Sequence, residues 1–337
     1  METAIYKKHS GGKVECGICH HRCFLKDGAV GICKVRKNIN GSLQSLVYEK
    51  IIAKSVDPIE KKPFFHVAPG SLSYSIATVG CNFSCRFCQN SNIAQMPADN
   101  KGLIMGDVTP PFSIIKDAVN RKCKTIAYTY TEPAVFFEYL LETAKLAKHE
   151  GIGNVIVSNG YMTSEAVDMI SPYIDAANID LKSFSDDFYK NYCGSRLEPV
   201  KNTLRKMKAA GVFLEITTLL IPGLNDDLEE IDSMAAFIAK DIGVETPWHI
   251  SRFHPSYRLT NIRSTPVESL LKAREIGFKN GLKHVYAGNI QGEGGENTYC
   301  HQCNSLLIER LGYTILNNRI EGGCCNVCNA KIHGVDL

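Results

Sequence analysis

The sequence predicts an α/β protein: a partial (β/α)6 TIM-type barrel with small cysteine-rich metal-binding modules at its N- and C-terminal ends. Three observations carry this expectation. Short β-rich runs alternate with helical stretches between residues 73 and 290, and such alternation favours parallel strands joined by right-handed crossovers. Most of the fourteen cysteines fall into three clusters, one before, one inside and one after that region. The 337 residues exceed one small core and suit a large α/β domain with appended modules. An open doubly wound sheet is the alternative for the centre, and either architecture places a site at the C-terminal strand ends.

The expected division is an N-terminal cysteine-rich module over residues 1–66, the barrel over 67–290 and a C-terminal module over 291–337. Strand candidates are SYSIATVG (73–80), TIAYTY (125–130), NVIVSNG (154–160), AANIDLKS (176–183), FLEITTLLIPG (213–223) and PWHISRFH (247–254). A seventh candidate is HVYAGN (284–289). Helices fill the gaps. Val135, Tyr139, Ala144 and Ala147 roughly follow helical spacing, and Gly151 suits the residue after a helix end. Thr163 is placed to cap TSEAVDMI, and Asn225 to cap the helix of DDLEEIDSMAAFIAK. ADNKGLIMGDVTPP (98–111) is turn-rich and reads as a loop beside the site.

Composition narrows the function. Hydrophobic residues make up 44% and charged residues 22%, an ordinary globular balance. A net charge of +3 without a basic block argues against a nucleic-acid partner. No run of about 18 apolar residues exists to span a membrane, and METAIYKKHS lacks an apolar leader. A cytoplasmic location is therefore expected, where clustered cysteines bind metal rather than form disulfides. Cys123 and Cys193 stand outside the clusters and read as packed thiols.

Unusual polar residues gather at the predicted strand ends. Cys81 follows the first strand and Glu132 the second; Ser158 and Asn159 end the third; Asp180 and Lys182 end the fourth; His254 ends the sixth. Five placements on one rim point to an active site there. Asp180 and Lys182 also read as a mutual ion pair, and His254 as a packed or solvated imidazole or as a substrate contact. Tyr128, Tyr161, Trp248 and Tyr257 can line a pocket or simply pack.

Residues 81–88 read CNFSCRFC, a C-x3-C-x2-C spacing. Structural zinc takes four protein ligands, and a four-iron cubane takes four thiolates. Three thiolates on a cubane leave one iron for the amino and carboxylate groups of a small ligand; a zinc site with a distant fourth ligand is the alternative. Gly80 lets the chain turn tightly before Cys81.

This loop, with Phe87 just before its last cysteine, resembles the radical S-adenosylmethionine (SAM) superfamily. The resemblance implies a [4Fe–4S] cluster on Cys81, Cys85 and Cys88, with the methionine part of SAM on the fourth iron. It also implies reductive cleavage to a 5′-deoxyadenosyl radical that abstracts hydrogen from a protein or small-molecule substrate, and an electron donor such as flavodoxin or ferredoxin. By the same resemblance, YTEP (130–133) stands where Gly-Gly-Glu-Pro holds the cofactor's amino group; Glu132 matches, while Tyr130 and Thr131 replace the glycines. SNG (158–160) corresponds to the ribose and carboxylate region. DLK (180–182) corresponds to an element of glycyl-radical-enzyme activases, in which Lys182 pairs the cofactor carboxylate and Asp180 orients it or binds a cation. Phe87, Glu132, Ser158, Asn159, Asp180, Lys182 and His254 thus form the expected cofactor-binding set.

The segments DPIEKKPFFHVAPGS (57–71), CNFSCRFCQN (81–90), IAYTYTEP (126–133) and WHISRFHP (248–255), with the cysteine-bearing tail, are similar to the AmmeMemoRadiSam-system radical enzymes, relatives of pyruvate formate-lyase activating enzymes. That resemblance implies Memo-like or AMMECR-type partner proteins.

The outer sets are read from spacing. Cys16, Cys19, Cys23 and Cys33 supply four thiolates within eighteen residues, suiting zinc or an auxiliary iron–sulfur cluster, with zinc slightly preferred. Cys300, Cys303, Cys325 and Cys328 form two C-x2-C knuckles of a zinc-ribbon or rubredoxin-like kind, with Cys324 spare or exchanging roles with Cys325. Three functions follow: a radical SAM enzyme, its narrower form as a glycyl-radical-enzyme activase, or a metal-ribbon module that binds RNA or protein on a degenerate barrel.

Overall fold

The alternation becomes one eight-stranded sheet in the computed structural model, which describes residues 1–290 and 294–337. Its strands are β1 (Ala53–Pro58), β2 (Leu72–Ala77), β3 (Thr125–Tyr128), β4 (Gly153–Ser158), β5 (Ala176–Asp180), β6 (Phe213–Leu220), β7 (Trp248–Arg252) and β8 (Val285–Gly288). They stand in chain order across the sheet. β2 to β8 pair in parallel, and β1 lies antiparallel on the edge beside β2. The helices between them are α1 (Pro111–Asn120), α2 (Phe137–His149), α3 (Ser164–Ile170), α4 (Leu197–Ala209), α5 (Leu228–Phe237) and α6 (Val267–Lys279). These are six strand–helix units followed by the seventh parallel strand.

Chain-order pairing decides between the two architectures. Right-handed crossovers that always step the same way put every helix on one face of the sheet. A doubly wound sheet needs a reversal of strand order, and none occurs. Ile126, Ile156, Ile179, Ile216 and Ile250 accordingly pack with the helices in the main core. The opposite face carries Ala127, Val155 and Ala176, which pack with Ile59, Phe64 and Val67 in a separate cluster. The segment after β1 thus plugs the N-terminal mouth of the barrel and leaves a cleft at the C-terminal strand ends.

Two expectations are corrected. The sheet begins at Ala53, inside the stretch assigned from sequence to the N-terminal module, because β1 pairs with β2 over six residues. Asn225 does not cap α5. Asp227 does, its side chain accepting from the backbone of Glu229 and Glu230. Asn225 instead accepts from Ile221 N and donates to the carbonyls of Lys182 and Leu219, tying the ends of β5 and β6 together. Thr163 caps α3 as expected, and Gly151 takes a φ of +70° just past α2.

The outer segments dock on different parts of the barrel. The N-terminal segment forms a three-stranded antiparallel sheet (Tyr6–His9, Lys13–Cys16, Phe24–Leu25) and a hairpin (Arg36–Ile39, Ser42–Ser45). It reaches the C-terminal rim through His20 N to Tyr161 O (3.0 Å) and Thr163 N to Ile18 O (3.1 Å). Arg36, buried, grips both carboxylate oxygens of Glu138 at 2.9 Å. The C-terminal segment forms a small antiparallel sheet (Thr298–Tyr299, Leu306–Leu311, Thr314–Asn318) and a hairpin (Ile320–Glu321, Cys324–Cys325). It meets the plug: Arg310 donates to Phe65 O at 2.8 Å, and Val67 pairs with Val335. Residues 291–293, where this module was expected to begin, lie outside the described residues. No helix among the described residues is long and apolar enough to cross a membrane.

Candidate active site

The first barrel strand runs straight into the three-cysteine loop, and Gly80 makes the turn. Its φ is +101°, and a Cβ there would stand 2.6 Å from Val35 Cγ1 and 3.3 Å from Cys33 O. No side chain fits. Cys81, Cys85 and Cys88 then line a cleft of about 380 Å³ with Phe83 and Phe87, facing Glu132, Ser158, Asn159, Asp180 and Lys182. Of the cofactor set read from sequence, all but His254 meet there.

His254 is exposed, with Nδ1 3.1 Å from Ser264 Oγ, and does not line the cleft. β7 ends at Arg252 and the chain leaves the barrel before His254. The strand residues that do face the cleft are His249 and Ser251. They were legible only from the alternation of β7, whose register fixes which residues point inward. The 98–111 loop does not reach the cleft, nor do Tyr128, Tyr161, Trp248 or Tyr257.

Glu132 ties two strand ends together. Its Oε1 accepts from Ser158 Oγ (2.9 Å) and Ala134 N (3.0 Å), and its Oε2 from Asn159 N (2.9 Å). Burial pushes its carboxyl up to about 7, against those hydrogen bonds. Asn159, so held, donates from Nδ2 to Asn82 Oδ1 (2.7 Å), and the same nitrogen lies 3.8 Å from Cys81 Sγ. Gly160 closes this motif at φ +69°, where a Cβ would stand 2.7 Å from Ile179 Cγ2.

Tyr130 takes the left-handed conformation a glycine would adopt freely, with φ +63°. Its side chain is pinned by β1 and the plug: the hydroxyl donates to Asp57 Oδ2 (2.5 Å) and accepts from Lys62 Nζ (3.1 Å). Burial and the Asp57 carboxylate push that hydroxyl up to about 12. These contacts compensate for the missing glycine at the strand edge.

Asp180 and Lys182 form the mutual ion pair, with Nζ 2.8 Å from Oδ2. Burial alone would depress the Lys182 ammonium, but the Asp180 carboxylate and then Cys85 outweigh it and hold it well above its usual range. The cleft therefore holds the Lys182 ammonium in a pair with Asp180. Sequence reasoning left Cys193 as an isolated packed thiol. It is fully buried, its carbonyl accepts from Ser84 N at 2.9 Å, and its thiol, on the Cys85 side of that turn, holds Cys85 below the ordinary thiol range. Nothing in the local spacing signals this contact across about a hundred residues.

Thiol spacing separates the three clusters. A zinc–sulfur bond of about 2.3 Å puts tetrahedral sulfurs about 3.8 Å apart. Cys300, Cys303, Cys325 and Cys328 match: all four sulfurs lie within 4.8 Å, with Cys300–Cys328 at 3.5 Å and Cys303–Cys325 at 3.7 Å. Cys325, not Cys324, is the member of this group. Among the described residues no other three metal-binding side chains are so close. Cys81, Cys85 and Cys88 share one cleft but stand wider than a single ion allows. That fits a polynuclear cluster, with Lys182 beside it to offset thiolate charge.

The fold and the loop together define a class: a partial-barrel iron–sulfur enzyme with three thiols at the C-terminal rim. The profile of the Radical SAM superfamily matches residues 75–237. An uncharacterised protein of Methanocaldococcus jannaschii is 42% identical over 333 residues, spanning 98% of each chain. The pyruvate formate-lyase-activating enzyme of Clostridium pasteurianum is 25% identical over 211 residues, 61% of this chain and 88% of that one. The crystal structure of Streptococcus suis SuiB bound to precursor peptide SuiA shares the fold, with a TM-score of 0.52 at 13% identity over 69% of this chain and 52% of that one. The chain belongs to the radical SAM superfamily and is an enzyme of that class, with activating enzymes among its relatives.

Proposed function

We propose that this enzyme binds a [4Fe–4S] cluster on Cys81, Cys85 and Cys88 and uses it to cleave SAM, abstracting hydrogen from a protein or small-molecule substrate. The observation that carries the reading is the convergence of the three thiols of one short loop on a cleft walled by Asn159, Asp180 and Lys182. When bound, the reduced cluster supplies the electron that splits SAM into methionine and a 5′-deoxyadenosyl radical. The protein's part is positioning. Lys182 offers its ammonium to the methionine carboxylate at the cost of loosening its bond to Asp180. Glu132 fixes the ends of β3 and β4 so that Asn159 stays against Cys81. Phe83 and Phe87 keep water from the thiols. The plug closes the far end of the barrel, so that substrate enters from the rim.

Anaerobic protein reconstituted with iron and sulfide, then reduced with dithionite, should release 5′-deoxyadenosine from SAM. Cleavage that survives C81A/C85A/C88A would sink the reading. A narrower reading, activation of a glycyl-radical enzyme, is favoured by the DLK element and by the named activity of the Clostridium relative. It requires a glycyl-radical doublet in the paramagnetic resonance spectrum of a candidate partner. A flavodoxin- or ferredoxin-type donor and Memo-like partners belong to this proposal. The alternative of a ribbon on a degenerate barrel conflicts with the intact loop and cleft.

A further inference from the structure

Cys16, Cys19, Cys23 and Cys33 all line one cavity beneath the C-terminal rim. No three of their sulfurs come within 4.8 Å of one another, the separation at which the C-terminal four are gathered. One tetrahedral ion cannot touch all four at that spread, whereas an iron–sulfur cluster spaces its thiolates through its own metal and sulfide atoms. The cavity wall is otherwise apolar except for His21, Arg36 and Asn82.

Asn82 supplies an independent pointer to a ligand. It is 1% exposed, and its Nδ2 has no hydrogen-bond partner. A buried amide nitrogen left unpaired costs about 1–3 kcal/mol. Its Oδ1 is already taken by Asn159, which leaves Nδ2 as a donor at the wall of a cavity ringed by sulfur. Cluster sulfides and thiolates are acceptors for such a group. Arg36 adds a positive charge beside thiolates, held in place by Glu138.

The same residues join this cavity to the active site. His21 Nε2 lies 2.8 Å from Asn82 O, in the residue after Cys81. The Cys33 carbonyl packs against Gly80, in the residue before it. Asn159 bridges Asn82 to Cys81.

We infer that Cys16, Cys19, Cys23 and Cys33 hold a second iron–sulfur cluster, of the four-iron kind, coupled to the Cys81 loop through His21 and Asn82. The step it serves is a single-electron transfer. The centre on the N-terminal cysteines loses one electron and the centre on the Cys81 loop gains it, with no bond or proton change. A low-potential one-electron reductant, dithionite in the test, restores the first centre. This rests on the radical SAM reading only for the electron's destination; the site itself stands on the thiol geometry.

The test is metal and sulfide analysis of the full chain after anaerobic reconstitution. Wild-type protein should hold about eight irons and eight acid-labile sulfides, two four-iron clusters. C81A/C85A/C88A should keep about half of each and still give a paramagnetic signal after dithionite. C16A/C19A should lose the other half. In reduced wild type the two signals should be broadened by mutual magnetic interaction, and each half-loaded variant should lose that broadening. Four irons in wild type, or zinc in place of iron and sulfide at the N-terminal cysteines, overturns the site. Two clusters without mutual broadening overturn the coupling. The two readings fail separately. Wild type that cleaves SAM with only four irons breaks this inference alone, and eight irons without cleavage breaks the functional reading alone. The wild-type count decides the question even if a variant fails to fold.

Discussion

Cys300, Cys303, Cys325 and Cys328 stand within 4.8 Å of one another, while Cys16, Cys19, Cys23 and Cys33 ring a cavity at wider spacing. The residue type is the same and each set opens on a C-x2-C pair, but the N-terminal four fall within eighteen residues while the C-terminal four form two separated knuckles. The surroundings differ as well. The C-terminal cysteines form a small core of their own with Leu307, Ile308, Ala330 and Ile332. Each knuckle aims a backbone N–H at its own sulfur: Gln302 N at Cys300, Val327 N at Cys325. The N-terminal set shares the main core with Val14, Ile18, Val35 and the barrel. Its cavity borrows Asn82, Ala134 and Val135 from that barrel. A self-contained knuckle pair can close on one ion by itself. A set embedded against the rim is held open by its neighbours, and it takes its chemistry from them.

The largest test of this contrast is metal removal at the C-terminal site. Structural zinc in small modules contributes about 10–16 kcal/mol to folding, and the module's separate core is small. C325A/C328A should therefore unfold residues 294–337 and leave the barrel intact, as limited proteolysis with mass spectrometry reads it. A module that stays protease-resistant without metal would show that docking on the plug, not the ion, folds it.

The matching cut on the other side is Glu138→Gln. It leaves the Arg36 guanidinium buried without its carboxylate, and breaking such a pair costs about 3–5 kcal/mol. Thermal melting should fall accordingly, and the amides of His20 and Thr163, which join this module to the rim, should lose hydrogen-exchange protection first. A variant as stable as wild type would mean that Arg36 is not what anchors the N-terminal module.

The rim adds a pH signature. Burial raises the folded-state pKa of Glu132 from 4.5 to about 7, so the folded protein binds more protons than the unfolded chain between those values. Stability of the metal-free protein should fall as pH rises from about 4.5 to 7, by about 3 kcal/mol at 1.36 kcal/mol per unit. Melts across that range should show the slope, and Glu132→Gln should flatten it. A slope unchanged in the variant would assign it elsewhere.

Arg310 is the smallest test. It anchors the C-terminal module as Arg36 anchors the N-terminal one, but through the carbonyls of Phe65 and Glu296 and the Thr298 hydroxyl, over the Phe65 ring. No ion-pair partner lies within reach among the described residues. Arg310→Met should cost about 1–3 kcal/mol, less than Glu138→Gln, read by the same melts. A larger loss than at Glu138 would reverse the ranking of the two docking sites.

Local pattern made much of this legible. Period-two apolar runs located the parallel strands to within a few residues, and the C-x3-C-x2-C spacing with Gly80 placed the site. Thr163 announced its cap. Asn225 misled, because Asp227 two residues on offers the same chemistry and the helix could use either. β1 was missed because AKSVDP has no strong alternation and reads as strand only once β2 lies beside it. His249 was signalled only by the alternation of β7, and Cys193 and Asn82 carried no local signal at all.

The amino-acid order determined which segments become strands, which cysteines come in sets and which loop carries three thiols, because those properties depend on neighbours a few residues apart. Only folding decided how far apart the sulfurs of each set stand, that Asn82 faces the N-terminal thiols, and that Cys193 lies against the three-cysteine loop. Those distances arise from packing between segments remote in the chain, and thiol spacing is what separates a site for one ion from a site for a cluster.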